Sequence, residues 1–208
     1  MNYLNFDDGV KLVWAARESI TEYLNRSDFD RNEIESKLKG SGFDKRYGIF
    51  VTLYNYKNSN LRGCVGFPRA VGKLRDSVID AALSAAFEDY RFGSLGKGEL
   101  GNVVLEVSVL SPMERIEGNP DYLMENVNIG EDGLLIEYQG YSGLLLPIVA
   151  VEEKFDSKTF LEEVCMKAGL KGNEWKDGSA KLYKFQTQIF KEKSPAGEVY
   201  EVDLSNLD

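Results

Sequence analysis

The feature that most constrains the fold is the run "YGIFVTLYNYKNSNLRGCVGF" at residues 47–67, where two β-forming stretches flank a short polar turn. Aromatic and β-branched residues suit a pleated, half-buried surface, and residues 57–60 supply the turn chemistry between them. The run predicts an antiparallel hairpin. A second hairpin is predicted from residues 134–138, through "QGYS", into residues 143–146, with Pro147 stopping the ladder. "NVVLEVSVL" alternates so that Val103, Leu105, Val107 and Val109 share one face and Val104, Glu106, Ser108 and Leu110 the other. "KLYKFQTQIF", residues 181–190, supplies a final alternating strand. Hairpins outnumber strand-helix-strand units, so the prediction is an α+β fold with packed helices on a mostly antiparallel or mixed sheet.

Helical periodicity fills the intervals. Asp7 stands as N-cap to a stripe of Val10, Val13, Trp14, Ala16, Ile20 and Leu24 that runs to about Asn25. A polar segment follows, with a short helix at residues 32–39 ended by Gly40. Residues 71–87 carry Val71, Leu74, Val78, Ala81, Ala82 and Ala85 at helical spacing, and the alanines permit close approach to a neighbour. "NPDYLMEN" sets Asn119 as cap and Pro120 at the first helical position. "FDSKTFLEEVCMKAGL" is a helix capped by Asp156 or Ser157, ended by Gly169, with Phe160, Leu161, Val164, Cys165 and Ala168 as its buried stripe. With no repeat, low-complexity segment or long linker, residues 1–208 read as one domain.

The chain contains no histidine, which removes Ser-His-Asp and Cys-His mechanisms and every histidine-containing zinc or iron site. Its two cysteines, Cys64 and Cys165, are far apart, so neither a structural disulfide nor a metal centre is expected. A net charge of −9 with scattered basic residues opposes nucleic-acid binding, because counterion release needs a basic stripe. No apolar run approaches the ~20 residues of a membrane span. The opening "MNYLNFDDGVK" lacks the charged and apolar regions of a secretory signal, so a cytoplasmic location is expected.

Candidate chemistry centres on "LRGCVG", residues 61–66. Alternation puts Arg62, Cys64 and Gly66 on one face and Leu61, Gly63 and Val65 on the other. Cys64 has two readings: a nucleophile whose pKa is lowered by Arg62, or a small inert core residue. Arg62 either pairs across strands with Glu106 or clamps an anionic ligand with its planar fork. Glu106 and Ser108 serve as base and hydrogen-bond donor, or else mark the solvated side of an amphipathic strand. In "FEDYRF", Glu88, Asp89 and Arg91 line a cleft or simply form a solvated loop. Cys165 reads as core.

Six blocks, "LRGCVG", "AAFEDYRF", "LEVSVLSP", "GLLLPIVAVEE", "FLEEVCMKAGL" and "YKFQTQIF", resemble successive blocks of the AMMECR family in the family's order, from Leu61 to Phe190. The chain departs from the family pattern at Phe67-Pro68, where a hydroxyl residue usually follows the second glycine. The resemblance implies a cytosolic α+β protein with a larger and a smaller lobe and a cleft near the "LRGCVG" strand. Read from the residues rather than from the resemblance, Arg62, Gly63, Gly66, Ser108, Asp89 and Arg91 would meet a small or anionic ligand in that cleft, with Cys64 and Glu106 as catalytic candidates. The resemblance brings no reaction or cofactor with it. It also implies an accessory role beside Memo-type dioxygenase-like and radical-SAM proteins. An association with RNA, suggested for the family by analogy, is opposed by the charge.

Overall fold

The computed structural model describes residues 3–25 and 29–204. The order is α1 (Phe6–Asn25), α2 (Arg31–Lys37), β1 (Gly48–Asn55), β2 (Leu61–Phe67), α3 (Leu74–Phe87) and β3 (Val103–Leu110). The chain continues through β4 (Glu114–Ile116), α4 (Pro120–Glu125), β5 (Gly133–Tyr138), β6 (Tyr141–Leu145), α5 (Pro147–Glu152) and α6 (Ser157–Lys167). It closes with β7 (Lys181–Phe185), β8 (Thr187–Glu192) and β9 (Val199–Glu201). The fold is α+β, with one sheet ordered β2-β1-β3-β8-β9 and another ordered β4-β7-β5-β6. The chain divides into two compact units, the first formed by the residues up to Leu110 with Gln188–Val202, the second by Ser111–Thr187 and the residues from Asp203.

In the first unit, α1 and α3 cover one sheet face. Ile49, Val51 and Leu53 of β1, the odd-numbered residues of β3, and Phe190 of β8 join Leu12, Ala16, Val78 and Ala82 in a single apolar core. Glu192 is buried and ties this core together, accepting from the Arg17 guanidinium and, at 2.8 Å, from the Leu105 N–H. On the other face the antiparallel register aligns Cys64 with Thr52 and Thr52 with Glu106. Both carboxylate and hydroxyl rows of β3 are withdrawn from solvent, with Glu106 at 4% and Ser108 at 1% exposure, so a solvated strand face is not what the structure shows. In the second unit α6 lies against its sheet so closely that a Cβ on Gly143 would stand 2.5 Å from the Ala168 nitrogen. Phe160, Leu161, Val164 and Cys165 fill that core with Ile136, Trp175 and Leu182.

Several sequence expectations shift. Asn5 accepts the Asp8 N–H at 2.8 Å, so it caps α1 in place of Asp7. The predicted short helix runs Arg31–Lys37 with Asp30 as its cap, and part of the polar segment before it, residues 26–28, lies outside the described residues. Helix α3 starts at Leu74, leaving Val71 exposed. The stretch read as one last strand is β7 and β8, which belong to different sheets and break at Gln186. Pro147 opens α5, where its missing N–H costs nothing.

Two glycines of β2 explain its fit. A Cβ on Gly63 would lie 2.2 Å from the Ala85 carbonyl oxygen of α3, and one on Gly66 would lie 2.2 Å from the Ile49 carbonyl oxygen. Both collisions are with backbone, which cannot swing aside. Gly63→Ala should therefore cost about 1–3 kcal/mol in urea unfolding. Gly98→Ala, where an added Cβ meets nothing within 4 Å, should stay within about 0.5 kcal/mol of wild type. Equal stability of the two variants would refute the close-approach explanation.

Candidate functional site

β2 is an edge strand, and its register with β1 slips between Leu53 and Tyr54: Gly63 faces Leu53, whereas Leu61 already faces Tyr54. Arg62 is the extra residue. Such a bulge re-aims a side chain, and Arg62 turns to the loop that follows α3. There its Nε donates to Glu99 Oε1 at 2.9 Å and its Nη2 to Glu99 Oε2 at 3.2 Å. The expected Arg62–Glu106 pair does not form, because β1 lies between β2 and β3. Glu106 pairs instead with Lys191 Nζ of β8 at 3.1 Å, and Lys191 sits 4.1 Å from the centre of the Tyr54 ring.

The cation beside Cys64 is Arg91. Cys64 presents its N–H and C=O to the free edge of the sheet. Asp89 accepts the N–H at 2.9 Å, and Arg91 Nη2 donates to the carbonyl at 3.1 Å. Arg91 also holds Asp89, with Nε at 2.9 Å and Nη2 at 2.7 Å. This clip supplies what a further strand would supply, and Asp89 is buried within it rather than solvated. The Arg91 hydrogen bond, seconded by the Cys64 N–H, holds the Asp89 carboxyl down to about 2 against the opposing effect of burial. Phe92 lies beneath both guanidinium groups, 6.0 Å from Arg62 and 5.5 Å from Arg91.

The Cys64 thiol is partly buried and accepts from the Thr52 hydroxyl at 3.2 Å. Burial pushes its pKa up; the Thr52 hydrogen bond and the Arg91 charge oppose this, while Glu106 and Asp89 add to it. Of the two readings of Cys64 the direction is that of the second: burial raises the thiol, and the cation beside it is Arg91, since Arg62 is turned to Glu99. On β2 and β3, among the described residues, two donors are unfilled. Arg62 Nη1 and Ser108 Oγ are buried with no hydrogen-bond partner. Gly63 and Gly66 are accounted for by packing against Ala85, Ile49 and Phe50. Cys165 is fully buried in α6, as expected, with its thiol pushed up to about 11 by burial. Among the described residues no group of three or more Cys, Asp or Glu is placed to hold a metal ion.

Comparison with known proteins matches residues 13–190 to the AMMECR1 family model. The chain belongs to the AMMECR1 family. A Methanococcus aeolicus relative is 40% identical over 203 residues, covering 97% of this chain and 99% of its own. Protein MJ0810 of Methanocaldococcus jannaschii is 40% identical over 205 residues, covering 98% of this chain and 100% of its own. The crystal structure of PH0010 from Pyrococcus horikoshii, described as an uncharacterised protein, superposes with a TM-score of 0.90 at 39% identity, covering 97% of this chain and 100% of that one.

Within this AMMECR1 domain the residues that sequence reasoning missed are Thr52, Phe92, Glu99 and Lys191. Thr52 was visible in principle, since a hairpin register places it opposite Cys64; the other three depend on tertiary packing.

Two measurements follow. The thiolate is the reacting form, so iodoacetamide alkylation of Cys64 should be slow at neutral pH and climb beyond the ordinary thiol midpoint of about 8.5. Glu106→Gln should move the profile to lower pH, and a wild-type plateau below neutrality would contradict the assignment. Cys165 should react only on unfolding. For Asp89 the folded pKa lies below the unfolded value of about 3.9, so its contribution to stability is present above that pH and lost as pH falls towards 2. Asp89→Asn should be less stable than wild type at neutral pH, and the gap should narrow in acid. A pH-independent gap would show that the charge is not the cause.

Proposed function

We propose that the β2 edge binds a small anionic ligand, bearing a carboxylate or phosphate, with Arg62 as its receptor. One observation carries this reading: Glu99 fixes two nitrogens of the Arg62 guanidinium and leaves Nη1 buried without a partner. A buried donor left unfilled costs about 1–3 kcal/mol, and more for a charged group, and an oxyanion oxygen at Nη1 would supply the missing charge-assisted hydrogen bond. Arg91, Asp89 and the backbone of Gly63 and Gly66 shape the strand edge; Ser108, also an unfilled donor, stands on β3 with β1 between it and β2. Cys64 and Glu106 are the catalytic candidates within this reading. Chemistry at Cys64 needs a proton removed first, since the resting thiol is neutral. Buried Glu106 is ion-paired with the half-buried Lys191 on the same sheet face.

A second reading rests on Tyr90, which is 95% exposed although its neighbours Asp89 and Arg91 grip β2. An aromatic ring held in solvent by an anchored loop suits a protein contact. It supports an accessory role beside Memo-type or radical-SAM proteins. A cytoplasmic location belongs to both readings: the free cysteines suit a reducing compartment, and no described helix is long and apolar enough to cross a membrane. The net charge of −9 weighs against nucleic acid as the ligand.

Titration with inorganic phosphate and with acetate, followed by NMR, tests the first reading. The Arg62 Nε–H and Cys64 amide resonances should move saturably, Arg62→Met should abolish the response, and Arg62→Lys should weaken it about tenfold or more. Absence of any saturable shift near β2 in the folded wild type would overturn it. Tyr90→Ala should leave these shifts intact and weaken only a protein complex.

A further inference from the structure

The Arg62 site depends on where Glu99 stands, and Glu99 cannot fix that position by itself. Its side chain is 46% exposed, and ion pairs with so exposed a partner contribute about 0–1 kcal/mol. The backbone that carries it is permissive, with glycines at 93, 96, 98 and 101. A Cβ at Gly93, Gly98 or Gly101 would meet nothing within 4 Å, so no close packing holds the chain at those points.

Its position comes from anchors on either side. Before Glu99, the buried Leu95 donates its N–H to the Ala86 carbonyl at 2.9 Å. After it the chain makes one helical turn, Leu100–Asn102, and enters β3. The Tyr56 N–H reaches the Asn102 carbonyl at 2.8 Å. Arg17 of α1 grips both ends of the turn, with Nη1 donating to the Leu100 carbonyl at 3.3 Å and Nη2 to the Val103 carbonyl at 2.7 Å. Glu192 of β8 holds Arg17 in turn, accepting from its Nε and Nη2 and also from the Leu105 N–H. The Arg17 side chain is 11% exposed and that of Glu192 3%, so this fork is fixed by burial where Glu99 is not. A guanidinium can serve a carboxylate and two carbonyls at once because its donors point in fixed directions; an ammonium is a point charge. We propose that Arg17 is a positioning residue for the Arg62 site: by holding the Leu100–Val103 turn it sets Glu99 where that carboxylate meets Nε and Nη2 of Arg62, leaving Nη1 over. The role in ligand binding rests on Arg62 as an anion receptor, but the geometry that Arg17 sets exists without an anion.

Arg17→Lys keeps a cation opposite Glu192 and removes the fork. The Arg62 Nε–H, followed by ¹⁵N NMR with no anion present, should exchange with water about fivefold or more faster in this variant, the equivalent of one lost hydrogen bond. Ile20→Val trims the same apolar core and touches none of these hydrogen bonds, so it should lower the urea midpoint and leave that exchange as in the wild type. Where inorganic phosphate binds the wild type, its affinity should also fall about fivefold in Arg17→Lys. Where phosphate does not bind, the exchange rate still decides the role of Arg17, so the two claims fail separately. Equal acceleration in both variants, or none in a folded Arg17→Lys, would overturn the proposal. Should Arg17→Lys not fold, Arg17→Met combined with Glu192→Gln removes both charges together and keeps an acceptor for the Leu105 N–H, and the same exchange measurement decides.

Discussion

Strand β2 rests directly on the backbone of α3, and the local architecture of the site follows from that contact. Gly63 makes it possible, since any Cβ there would strike the Ala85 carbonyl. Because α3 runs beneath β2 and ends at Phe87, the chain that emerges from it is delivered to the open edge of the sheet. Asp89, two residues on, meets the Cys64 N–H; Arg91 meets the Cys64 carbonyl; Phe92 lies under both arginines; and Glu99 closes the loop onto Arg62. An edge strand is thereby finished by side chains, a common protection against unwanted pairing with another chain.

Magnitudes decide which of these groups matters for function. The Arg62–Glu99 pair has one partner well exposed, and ion pairs of that kind contribute about 0–1 kcal/mol. Its importance is geometric: it holds a guanidinium still while one nitrogen stays unfilled. The buried orphan donor, at about 1–3 kcal/mol, is the larger quantity and the one a ligand would relieve. The thiol falls on the other side of the balance. Burial, with a smaller push from two nearby carboxylates, outweighs the Thr52 hydrogen bond and one guanidinium whose Nη2 is given to Asp89 and to a carbonyl, so proximity to arginine does not activate Cys64.

What the sequence revealed, and what it concealed, divides along the range of the interactions. Both hairpins, the helical stripes and the buried Cys165 follow from local periodicity, which depends on residues a few positions apart. Arg62 facing Glu106 was a natural reading of two alternating strands, but strand order is non-local: β1 intervenes, and a single bulge at Leu53 re-aims the arginine. Asp89 looked like part of a solvated run because its buried environment exists only once the loop docks on β2. Lys191 lies one residue beyond an apparently continuous strand, residues 181–190, whose break at Gln186 sends its two halves to different sheets. Pro147 fitted a ladder stop equally well as a helix start, since both roles use the same missing N–H.

Arg62 is proposed to keep a donor open for an anion, and a crystal structure determined in the presence and absence of inorganic phosphate tests this most directly. Phosphate crystals should show a tetrahedral ion with an oxygen about 2.7–2.9 Å from Arg62 Nη1, the Glu99 pair unbroken. If Nη1 instead holds the same protein or water oxygen in both crystals, and no ion approaches it, Arg62 is a structural clip and the account of the site is wrong.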